Sequence, residues 1–268
     1  MPVTAVPDLP LSYERYFAVV RATTPELLRK AYRLRYQVYC VENAFEDPAD
    51  NPHGFETDAF DAGSLHSLLI RRETREVVGT VRLILPLSRC GRGGTGLPMR
   101  DVCRHELVET DNRLLPWKTT AEISRFAVSK KFRRRATDQR TVGGFVEPDG
   151  IRRRIPDTSL GLMQAIVEMA ARSGVTHLCA VMEPTLLRML SRLGIHFNPL
   201  GPLVVYHGKR QPCYADLDEL LARTWVERFD VWEVLTRQGL LWPVNRHLSA
   251  TFLPRRTPIP VHAEAACA

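Results

Sequence analysis

Glu122 and Arg125 stand in the stretch AEISRFAVSKKFRRR, residues 121–135, whose first half alternates apolar and polar residues as a half-buried strand does. A carboxylate at such a position needs a partner or a cleft. At the floor of a cleft, partial burial raises its proton affinity and suits it to general-base work. A structural Glu–Arg pair is the competing reading. Two further charges are placed as awkwardly: Arg35 on an apolar helix, and Arg82 inside the strand GTVRLIL. Two guanidinium forks of this kind match an acid-bearing substrate, or else reach out to solvent along their stems. The segment FETDAFD adds Asp58 and Asp61, a paired anionic site for an ammonium group or a solvated loop. Strand parity puts Glu122, Ser124, Phe126 and Val128 on one face and Ile123, Arg125 and Ala127 on the other.

Five cations follow the strand at once: Lys130, Lys131, Arg133, Arg134 and Arg135. Arg152, Arg153 and Arg154 come later in the same segment. Between Lys130 and Asp157 there are nine basic residues against four acidic ones, so most of the formal charge of +7 sits there. Such a segment favours an anionic partner, although charge runs are often only solvated surface. Nucleic acid is not the expected partner, because Phe132 and Phe145 are the only aromatic residues in the segment and no binding module is recognisable.

These residues need a scaffold, and the pattern supplies one. Residues 15–22 read as a strand. The run TTPELLRKAYRLRYQVYCVE reads as a helix, with Thr23 or Thr24 as cap and Pro25 in its first turn. SLHSLLIRR and VVGTVRLILP, joined by ETRE, form a hairpin. Residues 98–109 suit a short helix, and the Glu122 stretch is the next strand. DTSLGLMQAIVEMAARSG is a capped helix ended by Gly174. VTHLCAVM is a buried strand, PTLLRMLSRLG a short helix, PLVVYH and PCYADL final strands, and 216–238 helical. With 268 residues and 44% hydrophobic content the chain suffices for one large core. A single domain is expected over 1–253, with a basic insertion at 130–157, a helical C-terminal extension at 216–242 and a loose tail at 254–268.

Several familiar chemistries are disfavoured. Gly91-Arg-Gly93-Gly-Thr-Gly96 fits GxGxxG, but Pro98 follows it and a hairpin strand precedes it, so dinucleotide binding is not expected. No metal site is expected from the dispersed histidines and cysteines. The six cysteines form no CxxC pair and suit a reducing, cytoplasmic setting. No apolar run reaches the length of a membrane span, and no secretion signal is expected, because the first residues lack a basic segment followed by an apolar core.

In this order, RYQVYCVE, ETDAFD, GTVRLIL and EISRFAV resemble the motifs of the autoinducer (acyl-homoserine-lactone) synthases. The likeness is closer to their relatives, the N-acyl amino acid synthases, including acyltransferases of PEP-CTERM/exosortase systems. It spans roughly residues 15 to 210. The resemblance implies a GCN5-related N-acyltransferase (GNAT) fold: a mixed α+β architecture with a twisted, mostly antiparallel sheet, flanked by helices and splayed between its fourth and fifth strands. It implies Glu122 as catalytic base. Arg35, Asp58, Asp61, Arg82 and Arg125 would shape the cleft or bind the acceptor. It also implies a bulge in the central strand that could bring Glu122 and Arg125 into one cleft. The expected donor is an acyl-phosphopantetheine thioester on acyl carrier protein, with acyl-CoA as the alternative, and no cofactor is bound. The expected acceptor is the amine of an amino acid, with lactone formation from S-adenosylmethionine as the rival activity. Amides near Phe126 would hold the oxyanion, and those at Ser159 to Gly161 the pantetheine phosphate. Lys130, Lys131, Arg133 to Arg135 and Arg152 to Arg154 would dock the acidic carrier.

Overall fold

The computed structural model describes residues 9–86, 96–110, 114–132 and 158–243. The basic arginines 133–135 and 152–154, residues 91–95 of the glycine-rich loop and the tail at 254–268 lie outside the described residues.

A short helix absent from the sequence expectation, α1 (Leu9–Tyr16), opens the described chain and leads into β1 (Phe17–Arg21). Next comes α2 (Pro25–Tyr36), with Pro25 in its first turn and the Thr24 side chain accepting the Leu27 N–H at 3.3 Å. The helix does not end where its α hydrogen bonds end. It widens into a π-helical turn, Gln37–Glu42, a form found often at functional sites. The hairpin follows as expected: β2 (Ser64–Arg71) pairs antiparallel with β3 (Val77–Ile84). Residues 98–109 form two short helices, α3 (Met99–Val102) and α4 (Glu106–Glu109). They precede the central strand β4 (Thr120–Val128).

The long helix α5 (Thr158–Ser173) is buried along most of its length. It is followed by β5 (His177–Met182), α6 (Pro184–Arg192), the short strands β6 (Asn198–Pro199) and β7 (Val204–Val205), and β8 (Lys209–Asp216). The region expected to be helical beyond 216 is two helices, α7 (Leu217–Glu227) and α8 (Phe229–Thr236).

The strands make one sheet in the order β1-β2-β3-β4-β5-β8-β6, with β7 paired to β8. All pairs are antiparallel except β4–β5. That parallel pair runs only from Thr120–His177 to Ile123–Ala180, while β4 continues to Val128 and β5 to Met182. The sheet therefore forks after Ile123, at the junction the family resemblance implies.

One face of the sheet carries α5, which explains why α5 is apolar all round. It packs on β1 to β4, and α8 covers its other side with α1 against α8. Leu162, Ile166 and Met169 of α5 share a core with Val81, Leu83 and Ile123 of the sheet. The C-terminal part thus completes the fold: β8 extends the sheet beside β5, and α8 closes the core. The opposite face holds α2, the irregular segment 43–63, and the segment 97–115. That segment contributes Leu97, Met99, Cys103, Val108 and Leu115 to a second cluster with Ile84 and Cys179.

Candidate active site

The bulge lies in β4. Thr80 pairs with Ala127 and Arg82 with Ser124, so Arg125 and Phe126 together oppose Val81. Arg125 absorbs the extra length with a left-handed backbone, φ 49°. Simple parity fails from this point. Phe126 and Val128 pack with the α5 core, not on the Glu122 face, and Arg125 turns to the side of Ser124 and Glu122. The sequence reading placed Phe126 with Glu122. The inserted residue reverses that assignment.

Three arginines and four carboxylates then interlock on this face. Arg35, wholly buried, gives Nε to Glu56 Oε2 at 2.5 Å and Nη1 to Asp61 Oδ1 at 2.6 Å. Arg82, 1% exposed, bonds Asp58 through Nη1 (2.5 Å) and Nη2 (2.9 Å), Asp61 at 2.7 Å and Ser124 Oγ at 3.0 Å. Arg125 bonds both oxygens of Glu56, and its Nη2 lies 3.1 Å from Asp58 and 3.2 Å from Glu46. Its guanidinium also lies over the Tyr39 ring at 5.2 Å. Burial alone would raise the carboxyls, but the guanidiniums outweigh it. Arg35 and Arg125 hold Glu56 at about 2, and Arg35 and Arg82 hold Asp61 at about 2.

This geometry corrects the reading of Arg35 and Arg82 as forks for a substrate carboxylate. Both are committed to internal carboxylates and sealed from solvent. Asp58 and Asp61 are likewise engaged by arginines and do not form an empty ammonium site. The more exposed members are Glu46, at 29% of its side chain, Asp58, at 24%, and Arg125, at 13%. Sequence reasoning missed Glu56, which lies two positions before Asp58 in the quoted motif, and missed Glu46, Tyr39 and Ser124. His66, buried beside Asp61 (Nε2 to Oδ1 3.6 Å) and edge-on to Tyr32, is pushed down to about 4 by burial.

Glu122 stands outside this network. It pairs across the sheet with Ile84 and Cys179, one residue before the fork. The residue is 5% exposed, and its Oε2 accepts the backbone N–H of Met99 at 2.8 Å. Burial pushes it up to about 8, against the pull of the Met99 amide and Arg82. An open cleft floor was expected. The structure instead covers the carboxyl with the segment 97–103, because Leu97, Met99 and Cys103 bury their side chains against Ile84 and Cys179.

Beyond the fork, two loops meet. Glu42, closing the π-helical turn, accepts the Lys130 N–H at 2.9 Å and the Ser129 hydroxyl at 3.3 Å, tying this loop to the end of β4. From the other arm comes the β7–β8 turn. Its His207 has Nε2 3.7 Å from Glu46 Oε1, the atom that Arg125 also bonds. Phe45 packs against His207 (5.7 Å between rings) and Arg210 (5.6 Å). Ala44 (φ 50°), His207 (φ 49°) and Gly208 (φ 99°) all hold left-handed backbones at this contact.

Among the expected carrier-docking cations, Lys130 gives its ammonium to the Glu42 carbonyl, and Lys131 pairs with Glu76 at 2.5 Å. Ser159 and Gly161 are buried in the first turn of α5, where the Cα of Gly161 faces Tyr13 and Leu69. Among the described residues no group of three or more His, Cys, Asp or Glu side chains is placed to hold a metal, and no helix is long and apolar enough to cross a membrane.

A forked sheet with a bulged central strand defines a GNAT-type fold, and comparison with known proteins agrees. The acetyltransferase (GNAT) domain model matches residues 34–142. No curated protein sequence matches the chain. Among solved structures, TofI in a ternary complex with an inhibitor and MTA is 21% identical with a TM-score of 0.55, over 84% of this chain and 99% of TofI. FeeM, an N-acyl amino acid synthase from uncultured soil microbes, is 17% identical with a TM-score of 0.51, over 80% of this chain and 96% of FeeM. The chain is similar to the GNAT acetyltransferase family over residues 34–142, and its fold is the one these structures share.

Proposed function

We propose that this protein is an N-acyltransferase that moves a long-chain acyl group from an acyl-carrier-protein thioester to the amine of an amino acid or a related acceptor. One observation carries the reading: a buried carboxyl, Glu122, pushed up to about 8, sits at the root of the fork in an acyltransferase-type sheet. An acceptor amine arrives largely as its ammonium and must lose a proton before it attacks. A carboxylate of raised proton affinity, ionised in part near neutrality, is a competent acceptor of that proton.

In the proposed reaction Glu122 takes a proton from the ammonium. The freed nitrogen lone pair bonds to the thioester carbonyl carbon. The carbon–sulfur bond then breaks, the added nitrogen gives up its second proton to leave a neutral amide, and the departing thiolate takes up that proton to leave as the carrier's thiol. Past Ile123 no described strand pairs with the fork-facing edge of β4, and amides there, near Phe126, are proposed to hold the oxyanion. The ion network acts as a rigid wall. Asp58 and Arg125, both partly exposed, are the groups proposed to meet the acceptor, while Arg35, Arg82 and Asp61 hold them in place. The pantetheine phosphate is assigned to the first turn of α5 at Ser159 to Gly161, and carrier docking to the arginines of 133–135 and 152–154.

The test is a product assay. Acyl-carrier thioesters are supplied with amino acids in one arm and with S-adenosylmethionine in the other, and products are weighed by mass spectrometry. An N-acyl amino acid supports the proposal. A lactone from S-adenosylmethionine alone replaces it with an autoinducer synthase. No acyl transfer in either arm overturns it.

A further inference from the structure

The segment 96–103 is tied to the site by more than apolar packing. Gly96 turns the chain with φ 89°, a left-handed conformation with open space around its Cα. Leu97, Met99 and Cys103 are then buried beneath the segment, and Cys103 Sγ approaches the Leu200 carbonyl at 3.7 Å. Arg100 lies over the Trp117 ring at 4.9 Å, so the outer side is anchored too. At the centre of this cap the Met99 N–H meets Glu122 Oε2 at 2.8 Å.

We propose that the backbone amide of Met99 is the positioning group of the Glu122 carboxyl, and that the 96–103 cap is thereby a working part of the active site. The inference rests on reading Glu122 as the base. Two physical consequences of the contact support it. A hydrogen bond from a backbone N–H fixes the rotation of the carboxyl, and it favours the ionised form that accepts a proton. Burial under the same cap disfavours that form. The cap thus exerts both opposing influences on one carboxyl, and only the amide supports the ionised state from this side. The charged and titratable groups around Glu122 are Arg82 from β3, Asp101 and Cys103 from the cap, and Cys179 from β5. Arg82 is already held by Asp58 and Asp61, and the Cys179 thiol is pushed up by burial. Neither replaces the amide.

The experiment removes one hydrogen and keeps the side chain. Met99 is replaced by its α-hydroxy acid analogue through nonsense suppression, which exchanges the N–H for an ester oxygen. Met99→Leu, which keeps the N–H, is the control. Ionisation of Glu122 is followed by carboxyl infrared or carbon NMR in the full chain, alongside the pH profile of kcat/KM.

The ester variant is expected to raise the ionisation midpoint by about one pH unit, so the ionised fraction at pH 7 falls roughly tenfold. The alkaline shift in kcat/KM should match, and Met99→Leu should leave both near their original positions. Equal midpoints in the ester variant and the original chain would overturn the proposal, as would an equal shift in Met99→Leu. Should the ester variant fail to fold, Gly96→Ala loosens the same cap by backbone strain, and an unmoved midpoint there counts against the proposal. If instead Glu122→Gln turns over normally, the base assignment fails on its own. The midpoint shift then still decides whether Met99 positions the carboxyl.

Discussion

Glu122 and Arg125 lie on the same face of β4 because Arg125 itself, at φ 49°, is the bulged residue. In a regular strand, residues three apart face opposite ways. The extra residue turns Arg125 toward Glu56, Asp58 and Glu46, and sends Phe126 into the α5 core. One backbone irregularity thus assembles the ion network beside the buried carboxyl. The fork opens within the same strand, after Ile123.

Glu122→Gln should lower turnover by about 10²-fold or more if Glu122 is the base. The original chain should show kcat/KM rising with pH through about 8, and the variant should lose that limb. Steady-state kinetics from pH 6 to pH 9.5 check both. The stability effect has the opposite sign. The folded proton affinity of Glu122 is raised above its ordinary 4.5, so its contribution is complete below about 4.5 and is lost as pH rises through about 8. At pH 8 the glutamine variant, free of that penalty, should be the more stable by an amount on the order of a few kcal/mol. Denaturant midpoints at pH 5 and pH 8 measure it.

Glu56→Ala should cost about 3–5 kcal/mol, because it leaves Arg35 and Arg125 with an uncompensated share of buried charge. The exposed helix pair Lys30–Glu26 is the control, and Glu26→Ala should leave the urea midpoint unchanged within error. Equal effects from the two substitutions would mean that the network is no more than surface decoration.

Much of this scaffold is legible in the sequence, and the failures have identifiable causes. The β2–β3 hairpin and α5 follow from periodicity and turn residues, which act locally. The fork and the bulge were expected only through the family likeness. An arginine in the left-handed region carries no composition signal, as a glycine there would. Arg35 and Arg82 announce themselves as misplaced charges, but the sequence does not name their partners. Glu56 supplies one of those partners from a loop that reads as irregular. The cap over Glu122 was legible as a short helix near 98–109, yet nothing local says that its first amide meets a strand 23 residues on.

Acid should act on the buried groups in overlapping pH ranges. His66 is held at about 4, below its ordinary 6.5, so stability from keeping it neutral is present above about 6.5 and is lost as pH falls through about 4. Glu56 and Asp61 are held at about 2, below their ordinary 4.5 and 3.8. Their contributions are present above those values and are lost as pH falls toward about 2. Between pH 6.5 and 4.5 the loss from His66 is offset by the opposite contribution of Glu122, so urea midpoints should stay nearly level there and fall steeply below about pH 4.5; in Glu122→Gln, which lacks the offset, the decline should begin near pH 6.5. Asp61→Asn should flatten the lower part of that curve. A pH-independent midpoint between 3 and 6 would contradict the assignment.

Gly161 offers a test of why α5 sits where it does. It lies within a helix, where alanine is ordinarily favoured by about 1 kcal/mol. Here a Cβ would come 1.8 Å from the Tyr13 hydroxyl oxygen and 2.6 Å from Leu69 Cδ1. Steric overlap of that size outweighs helix propensity, so Gly161→Ala should destabilise by about 1–3 kcal/mol. Removing the hydroxyl with Tyr13→Phe takes away the closest contact and leaves Leu69 Cδ1 and the ring's Cζ at 3.0 Å. The double variant should therefore recover part of the loss, and a double-mutant cycle in urea should show a coupling between the two positions. If Gly161→Ala proves stabilising, or if Tyr13→Phe rescues nothing, then α1 does not pack on α5 in the way that this contact requires.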